Sequence, residues 1–116
     1  MTAATDADGC VVADAALVRA FDLLGRRWTG VVLGTLSGPP TGFRALSRAV
    51  DGISDSVLSD RLSMLSDAGL VVRKVEGGPP VSVAYELTDA GRALLPALEQ
   101  IGRWAVEHLP VTGPSE

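Results

Sequence analysis

The sequence predicts a mainly α-helical (α+β) domain that carries one β-hairpin. Apolar residues recur at helical spacing in five segments, and two short β-branched segments lie between the fourth and the fifth. Glycine and proline clusters separate several of these segments. At 116 residues, of which 47% are hydrophobic, the chain suits one globular domain. We expect that domain to span residues 13–109, between a flexible N-terminal tail (1–12) and a C-terminal tail (110–116).

Two helices are predicted before the first proline cluster. Asp14 is a suitable cap for a helix over about residues 15–24, and Gly25 ends that helix. A second helix follows over about residues 28–36. Its apolar residues are dense enough for complete burial: Val31, Val32, Leu33 and Leu36.

A breaker and a third helix come next. Ser37-Gly38-Pro39-Pro40 stops the second helix, and Thr41 begins a very short extended piece. The third helix is predicted over about residues 44–50. Its inward-facing residues are Leu46, Ala49 and Val50.

The fourth helix, over about residues 54–68, has one apolar face and one small polar face. Ser54 occupies the N-cap position, and Gly69 the position at which helices commonly end. Leucines at i, i+4 and i+7 form the apolar face: Leu58, Leu62 and Leu65. The opposite face carries short polar side chains: Ser56, Ser59, Asp60 and Ser63. Such a face is either ordinary solvated surface or a recognition helix that is presented to DNA.

A β-hairpin follows directly. Its strands are predicted over about residues 70–76 and 81–87, joined by the turn cluster Gly77-Gly78-Pro79-Pro80. Thr88 then caps a last helix that reaches about residue 109, in which Pro96 should cause a bend or a local break. Three helices and then a hairpin, framed by a helix at each end, is the layout of a winged helix-turn-helix. In that design the third core helix enters the major groove, and the hairpin, or wing, lies over the neighbouring backbone or minor groove.

Five motifs stand in a fixed order along the chain. They are Phe21-Asp22-Leu23-Leu24-Gly25-Arg26-Arg27-Trp28-Thr29, Gly52-Ile53-Ser54, Leu58-Ser59-Asp60-Arg61-Leu62, Ala68-Gly69-Leu70-Val71 and Tyr85-Glu86-Leu87-Thr88-Asp89-Ala90-Gly91. In sequence and spacing they resemble the HxlR-type transcriptional regulators, which are relatives of the MarR group. The resemblance covers about residues 10–104. It implies a homodimeric repressor or activator that binds short inverted repeats in double-stranded DNA.

The formal net charge is −4, yet the basic residues concentrate in the middle of the chain. Residues 26–74 hold seven basic and four acidic residues, whereas the remainder holds three basic and ten acidic residues. Because local charge decides phosphate attraction, this distribution permits DNA binding. The basic candidates for DNA contacts are Arg26, Arg27, Arg44, Arg48, Arg73 and Lys74, and the polar candidates are Ser54, Ser56, Ser59, Asp60 and Ser63.

The arginine candidates differ in strength. Arg44 and Arg48 lie at i, i+4 on the third helix, where two adjacent guanidinium groups suit a phosphate clamp. Arg26 and Arg27 are candidates for backbone phosphates, but ordinary solvated charge explains them nearly as well. We expect Trp28, beside them, to be a core residue at a corner between helices.

Arg61 and the acids near it carry a second open question. Arg61 lies near the apolar stripe, so it either contacts DNA or pairs internally with an acid such as Asp51 or Asp67.

The resemblance adds that relatives commonly carry Arg or Lys at the positions of Asp55 and Ser56. The wing tip also lacks a cation. We therefore expect modest DNA affinity with a shallow salt dependence.

The terminal helices carry more apolar surface than a small wing domain buries alone. The residues of these stripes are Leu17, Val18 and Phe21 in the first helix and Leu94, Leu98, Ile101 and Ala105 in the last. Packing across a two-fold axis explains them and places two recognition helices about one duplex turn apart. The alternative is an intrachain helix pair in a monomer.

The chain has one cysteine, Cys10, and one histidine, His108. These counts exclude an internal disulfide and a cysteine-based zinc site within one chain, and we expect no metal and no cofactor. Some HxlR-type regulators sense electrophiles or oxidants through a cysteine just before the first helix, which makes Cys10 a candidate redox sensor. There a proline usually follows the cysteine, whereas here Val11 does. A packed, unreactive thiol is the alternative.

A DNA-binding transcriptional regulator is thus the leading interpretation. The alternative is a winged-helix protein-interaction module without sequence-specific DNA binding, which the acidic total charge would suit. An enzyme is not expected, and His108 is better explained as compensation of a helix dipole. A cytoplasmic location is expected, because the chain shows neither an apolar run of about 18 residues nor a signal peptide. An effector, if one binds, is of unknown chemistry.

Overall fold

The computed structural model describes the backbone of residues 3–111 and the side chains of residues 14–111. Within that range the elements occur in the predicted order, and the predicted winged helix-turn-helix fold is confirmed. The hairpin is a two-stranded antiparallel sheet. The elements are α1 (Ala3–Leu24), α2 (Thr29–Thr35), α3 (Phe43–Ala49), α4 (Asp55–Asp67), β1 (Val71–Glu76), β2 (Ser82–Leu87) and α5 (Asp89–His108).

The hydrophobic core lies where α2, α3 and α4 meet the base of the hairpin. The predicted leucine stripe of α4 is buried, so the polar face of that helix points away from the domain. The remaining core residues come from α2, from α3 and its C-terminal end, and from one residue of each strand. The full set is Val32, Leu33, Leu36, Leu46, Val50, Ile53, Leu58, Leu62, Leu65, Val71 and Leu87.

The predicted complete burial of the apolar run in α2 is wrong at one position. Val32 and Leu33 are fully buried, but Val31 is 55% exposed. A helix turns by about 100° per residue, so three consecutive residues cannot all face one core. Ala49 of α3 is exposed for the same reason, while Leu46 and Val50 are buried.

Both ends of α4 are defined by local hydrogen bonds, as predicted. The hydroxyl of Ser54 accepts from the amide of Val57 at 3.2 Å, which caps the N-terminus. At the other end Gly69 has φ +82°, and its amide donates to the Ser66 carbonyl while the Leu70 amide donates to the Leu65 carbonyl, both at 3.0 Å. This pair of bonds is a Schellman motif, for which glycine is the preferred residue.

The wing is anchored to the link between α2 and α3. β1 and β2 pair with Val71 opposite Leu87 and Arg73 opposite Tyr85. Thr41 adds an isolated bridge to Tyr85, with amide-to-carbonyl distances of 2.9 and 2.8 Å. The short extended piece predicted at Thr41 therefore exists, and it holds the hairpin base against the helical core.

α5 begins tightly packed against the turn that follows α4. The Thr88 hydroxyl donates to the Gly69 carbonyl at 2.6 Å and accepts from the Gly91 amide at 3.2 Å, so Thr88 caps α5 as predicted. A Cβ at position 91 would lie 2.2 Å from the Leu70 carbonyl oxygen, so the approach requires glycine. The helix then continues through Pro96 to His108, and the local break considered at Pro96 is absent.

α1 begins much earlier than the sequence predicted. It starts at Ala3 rather than after Asp14, so the part of the expected tail that lies at residues 3–12 is helical. This segment holds three alanines and no proline, and its acidic residues lie near the N-terminus, where the helix dipole favours negative charge. Cys10 falls in this helix, but its side chain lies outside the described residues, as do residues 1–2 and 112–116 of the predicted tails.

The terminal helices make the molecule elongated. Its principal extents are 62 × 37 × 22 Å and its radius of gyration is 17.1 Å. A compact chain of this length would have a radius of gyration of about 13 Å. None of the helices described has the length and apolarity that a membrane crossing requires.

Candidate nucleic-acid interface

α4 presents its small polar side chains to solvent. Ser56, Ser59, Asp60 and Ser63 are exposed on the side opposite the buried leucines. Ser54 is exposed as well, but its hydroxyl is engaged as the cap of α4. Because these side chains are short, the groove of a duplex can approach the helix backbone closely. The structure thus brings the predicted base-reading residues together on one surface.

A cleft of about 440 Å³ separates α4 from the wing. Ser59 and Ser63 line it from α4, and the cross-strand neighbours Arg73 and Tyr85 line it from the hairpin. The cleft therefore collects hydroxyl groups and one guanidinium group beside the exposed face of α4, a combination suited to a phosphate oxygen. Tyr85 was not among the predicted site residues, because its place in an alternating strand indicated only a core position.

A second, smaller cleft of about 260 Å³ lies at the other edge of the polar face of α4 and shares Ser63 and Asp67 with the first. It is lined by Arg26 from the corner between α1 and α2, and by Asp60, Ser63, Met64 and Asp67 from α4. Arg26 is exposed there. The predicted cations Arg26 and Arg73 therefore lie at the two edges of the exposed polar face of α4.

Arg61 is engaged inside the protein. Its Nε donates to the Arg27 carbonyl oxygen at 2.9 Å, and its Nη1 forms an ion pair with Asp60. The acids suggested by the sequence, Asp51 and Asp67, are not its partners. The pairing with an adjacent acid was missed, because residues i and i+1 point in different directions on a helix.

The corner before α2 is an unusual backbone feature. Trp28 has φ +80° and precedes the first residue of α2. Its ring is half-buried against the core, as predicted, and the Arg27 guanidinium lies 5.0 Å from the ring centroid. This cation–π contact engages one face of Arg27 and leaves the side chain exposed.

Arg44 and Arg48 are exposed on α3 and have no ion-pair partner among residues 14–111. α3 is joined to the start of α4 by a hydrogen bond of 3.1 Å from the Ser47 hydroxyl to the Asp55 carboxylate. That bond fixes Asp55 in the first turn of α4. The two guanidinium groups are thus available on a helix that is tied to α4.

Lys74 is the one predicted DNA-binding cation of the wing whose charge is compensated. Its Nζ lies 3.0 Å from Glu86 across the strands. The flanking positions Val75 and Val81 are exposed, and the tip carries no cation. We therefore rank Lys74 below Arg73 as a contact for DNA.

The predicted dimerisation residues divide into two groups. Leu17, Val18, Phe21 and Ile101 are exposed large hydrophobic residues, as is Trp104. Leu94 and Leu98 instead pack partly against the core of their own chain, where α5 contacts α2, and their role in an interface stays a prediction. Ala105 is half-buried. An open apolar cleft of about 360 Å³ lies between α1 and the start of α5, lined by residues that include Leu23, Leu70 and Leu94.

Comparison with known proteins decides the family. A family model for HxlR-like helix-turn-helix proteins matches residues 23–112. The chain belongs to this family. The HxlR-type chain is 38% identical over 91 residues to the uncharacterised HTH-type transcriptional regulator YvaP of Bacillus subtilis, covering 78% of this chain and 84% of that protein. It is 36% identical over 86 residues to the HTH-type transcriptional regulator YodB of the same organism, covering 74% and 77%.

Solved structures agree with this assignment. The reduced form of YodB from B. subtilis matches with a TM-score of 0.75 and 32% identity, over 84% of this chain and 96% of that one. The redox regulator HypR in its oxidised form matches with a TM-score of 0.76 and 27% identity, over 83% and 99%. The predicted family is confirmed, and the chain is a transcriptional regulator of the HxlR type. The individual DNA-binding and dimerisation residues stay predictions.

Proposed function

We propose that this HxlR-type regulator is a homodimer that binds a short inverted-repeat operator, with α4 in the major groove. The observation that carries the proposal is the exposed face of α4, where short polar side chains lie between clefts that contain Arg26 and Arg73. Serine hydroxyls and a carboxylate are able to contact base edges. The flanking arginines supply the sequence-independent attraction to phosphates.

The support for a homodimer is the apolar surface that one chain leaves uncovered. Among the described side chains, six large hydrophobic residues of α1 and α5 are exposed, including Phe21 and Trp104, each 53% exposed. A radius of gyration several ångströms above that of a compact chain fits helices that reach out to a partner. Two-fold packing of these helices would present two copies of α4 to successive major grooves, about 34 Å apart.

The first experiment is a gel shift with DNA upstream of the chain's own gene and of the adjacent divergent gene. Binding to one of these fragments, with sedimentation at twice the chain mass of 12.0 kDa, is expected. A species of 12.0 kDa at micromolar concentration would contradict the dimer. An intact dimer that binds no DNA at low salt would favour the alternative, a winged-helix protein-interaction module.

The role of α4 has its own variant. Ser59 lines the wing cleft and is exposed on the reading face. Replacing it with alanine removes one hydroxyl and no charge, so the salt dependence of binding should stay constant while sequence preference changes. If Ser59→Ala leaves both affinity and preference untouched, α4 does not read the operator as proposed.

A response to thiol oxidants is the second function that we propose, with Cys10 as the reactive group. Its support is the likeness to YodB, solved in reduced, diamide-treated and quinone-bound forms, and to HypR, a redox regulator solved in reduced and oxidised forms. Because the chain has one cysteine, oxidation would end in an inter-subunit disulfide, a mixed disulfide or a sulfenic acid. Diamide should change DNA binding of the wild type and not of Cys10→Ser. Equal responses of the two proteins would remove the hypothesis.

A further inference from the structure

Arg61 and Asp60 form an ion pair whose two members differ in exposure. The side chain of Arg61 is 15% exposed, whereas that of Asp60 is 63% exposed. The pair therefore has an anchored cation on the protein side and a carboxylate on the solvent side. Asp60 belongs to the face of α4 that we place in the major groove.

The anchor of Arg61 is a backbone group of another element. Its Nε donates to the Arg27 carbonyl at 2.9 Å, so two nitrogen atoms of one planar guanidinium have fixed partners. The Arg27 carbonyl is itself held in the corner between α1 and α2, where the half-buried ring of Trp28 packs on the core. The Trp28 ring also packs beside the turn before α4, where a Cβ at Gly52 would lie 3.4 Å from it. The orientation of Asp60 is consequently set by the body of the domain.

Neutralisation changes what Asp60 can do on a DNA-facing surface. An unpaired carboxylate would be repelled by the phosphate backbone. Arg61 engages Oδ2 of Asp60, which leaves Oδ1 available as a hydrogen-bond acceptor. The pair as a whole carries no net charge, so it approaches DNA without that repulsion.

An acceptor with no donor distinguishes among base edges. In the major groove guanine offers only acceptors, and thymine offers an acceptor and a methyl group. Adenine N6 is a donor, but the acceptor N7 stands beside it and would repel a carboxylate. Cytosine N4 is a donor without an adjacent acceptor on its own edge, which makes it the preferred partner.

We propose that Asp60 selects cytosine at one position of each operator half-site and that Arg61 is its positioning residue. The proposal rests on the proposed function, since it requires α4 to lie in the major groove. It predicts that Asp60 contributes specificity, whereas Arg61 contributes by fixing and neutralising Asp60 rather than by contacting DNA itself.

The experiment is selection of bound sequences from a library of randomised half-sites, with dimeric protein and subsequent affinity measurement. Wild type should require cytosine at one symmetric position, with a preference of about tenfold or more. Asp60→Asn should exchange that preference for adenine, because a carboxamide pairs with adenine N6 and N7. Asp67→Asn is the matched control, since it also removes an acid of the same cleft, and it should retain the cytosine.

Arg61 is tested by rescue. Arg61→Ala leaves Asp60 charged and free, so binding should weaken at every sequence. The double variant Asp60→Asn/Arg61→Ala should recover that general affinity, which a merely structural loss at Arg61 would not allow. If Arg61→Ala does not fold, Arg61→Lys is the second test. Lysine keeps the positive charge but cannot hold the Arg27 carbonyl and Asp60 at the same time as a guanidinium does. Arg61→Lys should therefore lower the preference for cytosine without changing the salt dependence of DNA affinity.

The outcomes separate the two proposals. Selection of one operator by wild type, with the same bases chosen by Asp60→Asn, would overturn the role of Asp60 and leave α4 as the reader. A failed rescue in the double variant would overturn the positioning role of Arg61. A folded wild-type dimer that selects no sequence at all would instead contradict the proposed function.

Discussion

Replacing both Arg44 and Arg48 with alanine should weaken binding to every DNA sequence and flatten its dependence on salt. Both side chains are exposed on α3 and have no acidic partner among the described side chains, so no buried charge is left behind by the change. A dimer would lose four guanidinium groups. Stability should therefore change little, within about 0.5 kcal/mol, as for ordinary surface substitutions.

The size of the effect follows from counterion release. Each phosphate contact adds about 0.9 to the steepness of log K against log salt concentration, so four contacts account for up to about 3.6. These four contacts alone should therefore make binding at about 0.1 M salt stronger than binding at 1 M salt by up to about 3.6 orders of magnitude. With Arg26 and Arg73 from each subunit as further contacts, the wild-type slope should be no steeper than about −7, and that of the double variant should be shallower by about 3 to 4.

The assay is fluorescence anisotropy of a labelled operator over about 0.05–0.3 M salt. Arg103→Ala is the control, because Arg103 lies on α5, where it pairs with Glu99 at 3.8 Å. It should leave the slope unchanged. A double-variant slope within about 1 of the wild-type slope would refute the clamp, and a wild-type slope as steep as about −8 would refute the small number of phosphate contacts.

Three further predictions concern the frame that holds the interface, each measured by thermal or denaturant unfolding. Gly91→Ala should destabilise the fold by about 3 kcal/mol, since its Cβ would lie 2.2 Å from the Leu70 carbonyl oxygen. Gly34→Ala in α2, with open space around it, is the control and should be neutral or stabilising. Equal effects of the two changes would contradict the close approach at Gly91. Thr29→Val should stabilise by about 1–2 kcal/mol, because the Thr29 hydroxyl is fully buried and has no hydrogen-bond partner in the described part of the chain; a loss of stability would mean that this hydroxyl has a partner. Ser54→Ala should lower the free energy of unfolding by about 1 kcal/mol, because α4 loses its N-cap, whereas Ser54→Thr should keep most of the stabilisation that the cap provides. An unchanged free energy of unfolding in Ser54→Ala would show that the cap contributes nothing.

The fold could be predicted from the sequence because most of its signals are local. The spacing of Leu58, Leu62 and Leu65 identified the buried face of α4, and Ser54 and Gly69 identified its ends. The same logic failed where a local pattern was ambiguous. The apolar run of α2 did not reveal that Val31 faces solvent, and the weakly patterned segment before Asp14 did not reveal that α1 begins at Ala3.

The candidate site was less predictable, because its defining contacts join residues that are distant in sequence. Arg61 contacts the carbonyl of Arg27, which is 34 positions away, and no local pattern encodes such a pairing. Tyr85 reaches the wing cleft only because the register of β1 and β2 places it opposite Arg73. The helical spacing predicted which residues form the polar face of α4. The clefts at the two edges of that face depend on how the hairpin and the corner at Trp28 pack against α4.

The central claim is that two copies of α4 read DNA in successive major grooves. Methylation interference on the selected operator tests it most directly, because methylation at guanine N7 blocks the major groove. Binding of both α4 helices in major grooves predicts two symmetric clusters of interference whose centres lie about 10 base pairs apart, or a multiple of that spacing, on an inverted repeat. A single cluster, or two clusters on opposite faces of the duplex, would contradict it.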